Sequence, residues 1–324
     1  MKEVKFSLFS LISFFTLTAF CILNMACKSK RSPQFHSPSD PKYHISIHLH
    51  PGDKYYYTIS GDMQSRSDVK DKKIESASHS DLGLIYEVLS DSADSIRLRI
   101  TYDQLHIRLK SGELEKDVTA RKGGAAQGDP IEGLLGNILG SQLTVTLDNK
   151  GNVIGIEGGK ELSDKILGAI DAPGSADNKQ IIRQQMEKLV GEKSVRNTLQ
   201  EAFKLFPDTA IYVGDDWVRK GQQSEDVKIG SNQTYTFTSL KGNVARVEER
   251  SDFTKEDDGN ISIMGHDVPT DIDGEQTGFY EMDMTSGMLM NGESDLSLKG
   301  TLHVLGMEVP VKIKTAKKIS GKRI

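Results

Sequence analysis

The clearest chemical assignment in this chain belongs to Cys27, because of what precedes it. Lys2 and Lys5 make a short basic start, and no residue from Phe6 to Leu23 is charged. A basic start, an apolar middle and a small residue before the cut are the requirements of a secretory signal. Ala26 is that small residue, in the box Asn24-Met25-Ala26-Cys27. The box places a thiol where a lipoprotein signal places its acylated cysteine, although Asn24 stands where Leu is preferred. Cys21 follows the bulky Phe20 and fits a small-residue peptidase pocket less well. The competing reading is an uncleaved N-terminal anchor. A spanning helix needs about 20 apolar residues, and this run is slightly short and diluted by Ser7, Ser10, Ser13, Thr16 and Thr18. Lipidation at Cys27 is therefore expected. Several acyl chains, at about 0.8 kcal/mol per buried methylene, hold a protein at a membrane. The sequence holds two cysteines. One leaves with the leader and the other is acylated, so the folded part has no thiol for a disulfide, cysteine catalysis or a zinc–thiolate site.

Other residue sets carry weaker chemistry. His44, His48 and His50 share one face of an alternating segment, and residues two apart on a strand can share a metal. No carboxylate lies among them, so a solvated face is expected and no metal site is assigned. Asp271-Ile272-Asp273-Gly274-Glu275 has the letters of a calcium loop. Counting from Asp271, the glycine falls at position four and Met282 at position twelve, where an EF-hand needs Gly at six and Glu at twelve. A turn entering a strand is expected there, and Glu256 to Asn260 reads as a charged hairpin turn. Gly123 to Gly128 is glycine-rich, but no Gly-Lys-Ser/Thr follows to complete a phosphate loop. Ser67-Asp68-Val69-Lys70 matches Ser-x-x-Lys by letters alone. Asp91-Ser92-Ala93, Asp94-Ser95-Ile96 and Asp208-Thr209-Ala210 resemble O-glycosylation acceptors, and ordinary turns explain them equally well. No catalytic residue is assigned and no cofactor is expected. The ligand-binding residues stay unassigned.

Composition narrows the class. Net charge is −5, from 41 basic and 46 acidic residues that are interspersed. No basic stripe suited to phosphates appears, which argues against nucleic-acid binding. Eleven Phe occur, five of them in the leader, and there is one Trp. The core must therefore rest on Ile, Leu, Val and Met, with few aromatic platforms for sugars. Lys28, Lys30 and Arg31 adjoin the anchor, within reach of anionic headgroups or simply solvated. Residues 28 to 42 carry Pro33, Pro38, Pro41 and four Ser, the composition of a flexible tether.

The elements that must position any site follow from periodicity. His44 to His50 alternates strictly, which predicts a strand with Ile45, Ile47 and Leu49 inward. Pro51-Gly52-Asp53 turns into a strand over Lys54 to Ser60. Further strands are expected over Leu82–Leu89, Ser95–Leu109, Leu143–Leu147 and Val153–Ile156. A second group is expected at 234–240, 244–253, 274–284, 288–298 and 302–313. Helices are expected over Glu161–Ile170, Asn178–Val190 and Ser194–Phe206, with Pro207 as the stop. Ile131 to Gly140, with glycines at 133, 136 and 140, reads as a short helix packed on the sheet or as a flap over a ligand. Val213-Gly214-Asp215-Asp216-Trp217 echoes Pro51-Gly52-Asp53-Lys54-Tyr55, which suggests two related halves.

Taken together, the Cys27 box, Gly52-Asp53-x-Tyr55, Leu147 to Val153, Phe206-Pro207 and Val213 to Trp217 resemble a family of uncharacterised lipoproteins from Bacteroidota-type bacteria. The resemblance covers most of residues 43–324. It implies an envelope location and carries over no catalytic residues. There is also an architectural likeness to periplasmic lipoprotein carriers, whose curved half-barrel holds acyl chains.

The expected fold is α+β: a mostly antiparallel, strongly curved sheet or open barrel in two similar halves, with central helices (about 160–206) packed on it. The expected divisions are a leader (1–26), a tether (27–42), a first β half with the helices (43–206) and a second β half (207–324), with 43–324 as one compact domain. The expected role is that of a lipid-anchored cell-envelope protein acting as a non-catalytic binding or interaction module. A carrier of a hydrophobic or lipid ligand is the alternative, and an envelope hydrolase a third reading. The expected partners are the membrane through Cys27, and a hydrophobic ligand or envelope protein.

Overall fold

The computed structural model describes residues 37, 40–69, 72–92, 94–120, 130–148, 151–169, 196, 205–220, 229–255, 260–263, 266–304 and 306–324. Thirteen strands form one antiparallel sheet. In chain order they are β1 (Lys54–Val69), β2 (Lys72–Asp91), β3 (Ser95–Ser111), β4 (Leu114–Thr119), β5 (Gln142–Asp148), β6 (Val153–Glu157), β7 (Asp216–Lys220), β8 (Ile229–Lys241), β9 (Val244–Lys255), β10 (Asn260–Ile263), β11 (His266–Asp283), β12 (Leu289–Val304) and β13 (Met307–Arg323). Two helices accompany them among the described residues, α1 (Pro130–Ile138) and α2 (Gly159–Ala169), and they pack on each other.

The architecture corrects the α+β expectation with central helices. The described chain is overwhelmingly antiparallel sheet, with helices of only nine and eleven residues. The Glu161–Ile170 helix is found as α2, and Ile131–Gly140 contains α1. The expected helices at 178–190 and 194–206 lie outside the described residues apart from Arg196, which is helical. The strands are much longer than periodicity indicated. β1 continues nine residues past Ser60, and β2 begins ten residues before Leu82. Their extensions are Ser- and charge-rich, so they lack an apolar stripe to signal them. They persist because backbone ladders and cross-strand polar pairs do not need one. The run expected as one strand at 302–313 is divided by the turn at Gly306. Asp271 to Glu275, expected as a turn, lies inside β11.

The sheet runs β6-β5-β3-β2-β1-β13-β12-β11-β9-β8-β7, with β4 beside β3 and β10 beside β11. Every neighbour on the path is adjacent in chain order or nearly so, except β1 and β13. Those two pair from Tyr55↔Arg323 to Ser67↔Val311. Along this path β13 therefore sits in the middle, with five strands on each side.

One local structure is built twice. At His50-Pro51-Gly52-Asp53, the Asp53 N–H bonds the His50 carbonyl at 3.0 Å and Gly52 N–H bonds the Val88 carbonyl at 2.8 Å. At Tyr212-Val213-Gly214-Asp215, the Asp215 N–H bonds the Tyr212 carbonyl at 3.1 Å and Gly214 N–H bonds the Phe237 carbonyl. Each aspartate accepts a backbone N–H with its side chain, from His50 at 3.2 Å and Tyr212 at 2.9 Å. Both glycines have φ near +100° (92° and 102°), a region that side-chain-bearing residues avoid. The strands receiving these turns each carry a bulge just beyond, between Val88 and Ser90 and between Phe237 and Ser239. The Gly-Asp echo in the sequence thus marks the same turn-and-hairpin geometry.

Residues 43–50 correct a further expectation. The inward and outward faces fall as the alternation requires, with Ile45 and Leu49 fully buried and His44, His48 and His50 exposed. The segment is not a strand, however. It is a strap, held by the Tyr43–Ile211 bridge and by the bond from His48 N–H to the Ser286 carbonyl at 2.9 Å. Leu49 enters the core of β1, β2, β3 and β5, while Ile45 enters the core containing Tyr235, Phe237, Val247 and Met282.

Candidate functional site

Successive strand side chains face opposite sides of a sheet. In β2 the even positions Leu84, Tyr86 and Val88 are buried, so His79 and Asp81 project to the other face. Ladder register then decides what they meet. Asp62 of β1 stands directly opposite His79, Ser60 opposite Asp81, and His106 of β3 opposite Asp81. β4 adds Asp117, which pairs with Arg108 one step along.

These residues form a continuous chain across four strands. His79 places Nδ1 at 2.9 Å from Asp62 Oδ1 and Nε2 at 3.0 Å from Asp81 Oδ2. His106 places Nδ1 at 3.1 Å from the same Asp81 oxygen and Nε2 at 2.8 Å from Asp117 Oδ1. Ser60 Oγ donates to Asp81 Oδ1 at 2.6 Å, and Arg108 Nε donates to Asp117 Oδ2 at 2.7 Å. The two rings lie 5.8 Å apart. Side-chain exposure is 32% for His79, 18% for His106 and 26% for Asp81, so the group is partly sheltered but open to solutes.

The electrostatics follow from the contacts. Asp62, with help from Asp81, raises His79 above the ordinary imidazole range against a burial penalty. Burial acts to raise Asp81, but the donors Ser60, His106 and His79 outweigh it and hold the carboxyl at about 2. His106 and Arg108 likewise lower Asp117. His79, Asp81 and His106 converge closely enough to share one metal ion.

A second polar group lies on the buried face of the other half. β9 presents Ala245, Val247, Glu249, Ser251 and Phe253 to the core, so a carboxyl and a hydroxyl sit in a mainly apolar row. Gly278 stands opposite Glu249, leaving room for diagonal neighbours on β11. Tyr280 Oη donates to Oε2 at 2.8 Å, and Gln276 Nε2 and Ser251 Oγ donate to Oε1 at 2.9 and 3.2 Å. Burial nevertheless dominates and raises the Glu249 pKa.

The residues singled out from sequence are scattered by comparison. Cys27, Gly123–Gly128, Lys70 and most of the Glu256–Asn260 turn lie outside the described residues. His44, His48 and His50 stay apart from the cluster, and His48 Nε2 meets Ser46 Oγ at 2.8 Å. Ser67 and Asp68 are in β1. Asp208 is clamped by Arg219, and Ser92 and Ser95 cap the β2–β3 turn. Sequence reasoning missed His79, Asp81 and His106. Only His79-x-Asp81, two residues on one strand face, was readable, because the partners arrive from 17 and 25 positions away.

No curated protein matches the chain. Among solved structures, one of lipid–protein interactions in lipovitellin shares 11% identity over 85% of this chain and 25% of that one, with a TM-score of 0.45. This chain thus spans about a quarter of the lipovitellin chain. An outer membrane channel from Pseudomonas putida F1 shares 8% over 89% of this chain and 100% of that one, with a TM-score of 0.23. The outer membrane protein OprG from Pseudomonas aeruginosa shares 6% over 86% and 99%, with a TM-score of 0.22. None of these scores reaches a shared fold. A family model is matched by residues 93–289, more than half of the sequence, and the chain belongs to that family, described as a family of unknown function (DUF6263).

Proposed function

We propose that this protein is a lipid-anchored component of the cell envelope that works as a non-catalytic binding module. The anchor rests on the leader ending in Ala26-Cys27 and on the Pro- and Ser-rich residues after it. Pro41 and Lys42 are exposed, and Tyr43 bridges Ile211 of the folded body. The composition of residues 28–42 is that of a tether between the anchor and the folded body.

The observation that carries the binding role is the outward face of the sheet, where charges are held in fixed cross-strand pairs. Glu87 bridges Lys54 at 3.3 Å and Arg99 at 3.0 Å. Arg246 meets Glu281 at 3.0 Å and covers the Phe279 ring, while Lys318 meets Glu293 at 3.1 Å. Exposed pairs of this kind contribute about 0–1 kcal/mol each to stability. Their consequence is a pre-ordered polar surface, which lowers the side-chain ordering cost of docking a partner. The carrier alternative needs a continuous apolar lining. The buried Glu249, Ser251 and Gln276 interrupt the core face along β9 and β11, which speaks against acyl chains there.

Metabolic labelling with a fatty acid tests the anchor. Wild type incorporates label and sediments with membranes, whereas Cys27→Ala incorporates none; label that survives the substitution refutes the anchor. Native mass spectrometry of gently purified protein tests the rest. The expected species is the acylated chain alone, and a co-purifying lipid would replace the binding module by the carrier.

A further inference from the structure

We propose that His79 Nε2, His106 Nδ1 and Asp81 Oδ2 form a binding site for one divalent transition-metal ion, zinc fitting best, on the outward face of β2 and β3. Two imidazole nitrogens and one carboxylate oxygen make the borderline ligand set that suits zinc. The ligand separations along Asp81, 3.0 and 3.1 Å, lie close to the roughly 3.3 Å edge of a tetrahedron with bonds of about 2.0 Å. All three ligand atoms lie within 4.8 Å of one another, so they can close on one ion. Three protein ligands leave a fourth position facing solvent, and the partial exposure of the rings gives an entry path.

The outer contacts are an independent argument. A metal-bound histidine usually donates its other N–H to a carboxylate, which fixes the tautomer and aims the ring. Both histidines have that partner: Asp62 on His79 Nδ1, and Asp117 on His106 Nε2. Asp117 is itself held by Arg108, and the free oxygen of Asp81 is held by Ser60. Every proposed ligand is thus oriented by a second residue, on ladder-paired strands. The site does not depend on the anchor or on the binding-module reading.

Chelator-treated full-length protein in detergent, titrated with zinc chloride by calorimetry, tests the site. The expected result is one zinc per chain, with affinity lowered at least tenfold by His106→Ala and by Asp81→Asn. Asp62→Asn keeps all three ligands and is expected to weaken binding about 10- to 100-fold. His48→Ala and His303→Ala leave the affinity unchanged. Cobalt(II) in place of zinc gives the visible absorption of a four-coordinate ion in wild type and not in His106→Ala. Absence of stoichiometric binding, equal affinity in wild type and His106→Ala, or loss on His48→Ala instead overturns the proposal. If circular dichroism shows His106→Ala unfolded, the exposed Asp62→Asn decides, and unchanged affinity there overturns it as well.

Discussion

Glu249 is the residue whose surroundings contradict its chemistry most sharply. Its carboxyl is buried and receives three hydrogen bonds, yet its pKa is raised from the ordinary 4.5, because lost hydration outweighs donors. The folded state therefore binds this proton more tightly than the unfolded chain. The associated stability is fully present below about pH 4.5 and is lost as pH rises through the folded pKa. Glu249→Gln keeps the shape and removes the titration. The melting temperature of the variant minus that of wild type is expected to grow between pH 4 and pH 8, measured by thermal denaturation. A difference that stays constant with pH contradicts this account. The position of Glu249 in an alternating strand was legible, since Val247, Glu249 and Ser251 must share a face. Its partners were not, because Gln276 and Tyr280 arrive through the β9–β11 register.

Among elements, the strap at 43–50 shows how alternation and hydrogen bonding can separate. Alternation correctly told which side chains turn inward, but it does not supply a neighbouring strand. The strap lies against the turn at Asp283–Gly287, where Gly287 has φ +73° and a Cβ would meet the Ser46 carbonyl and Ile47 Cα. Gly287→Ala is expected to destabilise by more than the about 1–2 kcal/mol of a left-handed backbone alone. Leu49→Ala empties a fully buried position and is expected to cost about 2–5 kcal/mol. Chemical denaturation of both variants checks these values, and wild-type midpoints mean that the strap is not part of the core. Deletion of residues 1–42 is expected to leave the midpoint unchanged, whereas deletion of residues 1–50 lowers it.

Across the whole molecule, the pairing of β1 with β13 determines how folding must proceed. β13 follows the other twelve strands in sequence and is the central one of the path, between β1 and β12. The sheet cannot be completed until β13 joins β1 and β12, which puts long-range contacts late in folding. Removal of residues 307–324 is expected to abolish cooperative unfolding, because it strips two ladders at once. A truncated chain that still melts in one sharp transition, followed by circular dichroism, would show that the two sides fold without the central strand. Arg323 also pairs with Asp53, so the same truncation releases the turn that leads into β1. The short outer strands β6 and β7, five residues each, fit the general need to keep open edges small.

From sequence alone came the antiparallel character of the body, the paired Gly-Asp turns and the inward residues of most strands. Each of these is set within a few neighbouring residues: charge, side-chain size, alternation, or a backbone conformation that only glycine tolerates readily. Strand length, the central place of β13, the strap and the His79–Asp81–His106 cluster came from the folded chain. They depend on which residue stands opposite which across a ladder. A shift of one residue in the β2–β3 register would turn His106 from Asp81 to the opposite face, and nothing local in either strand records that choice.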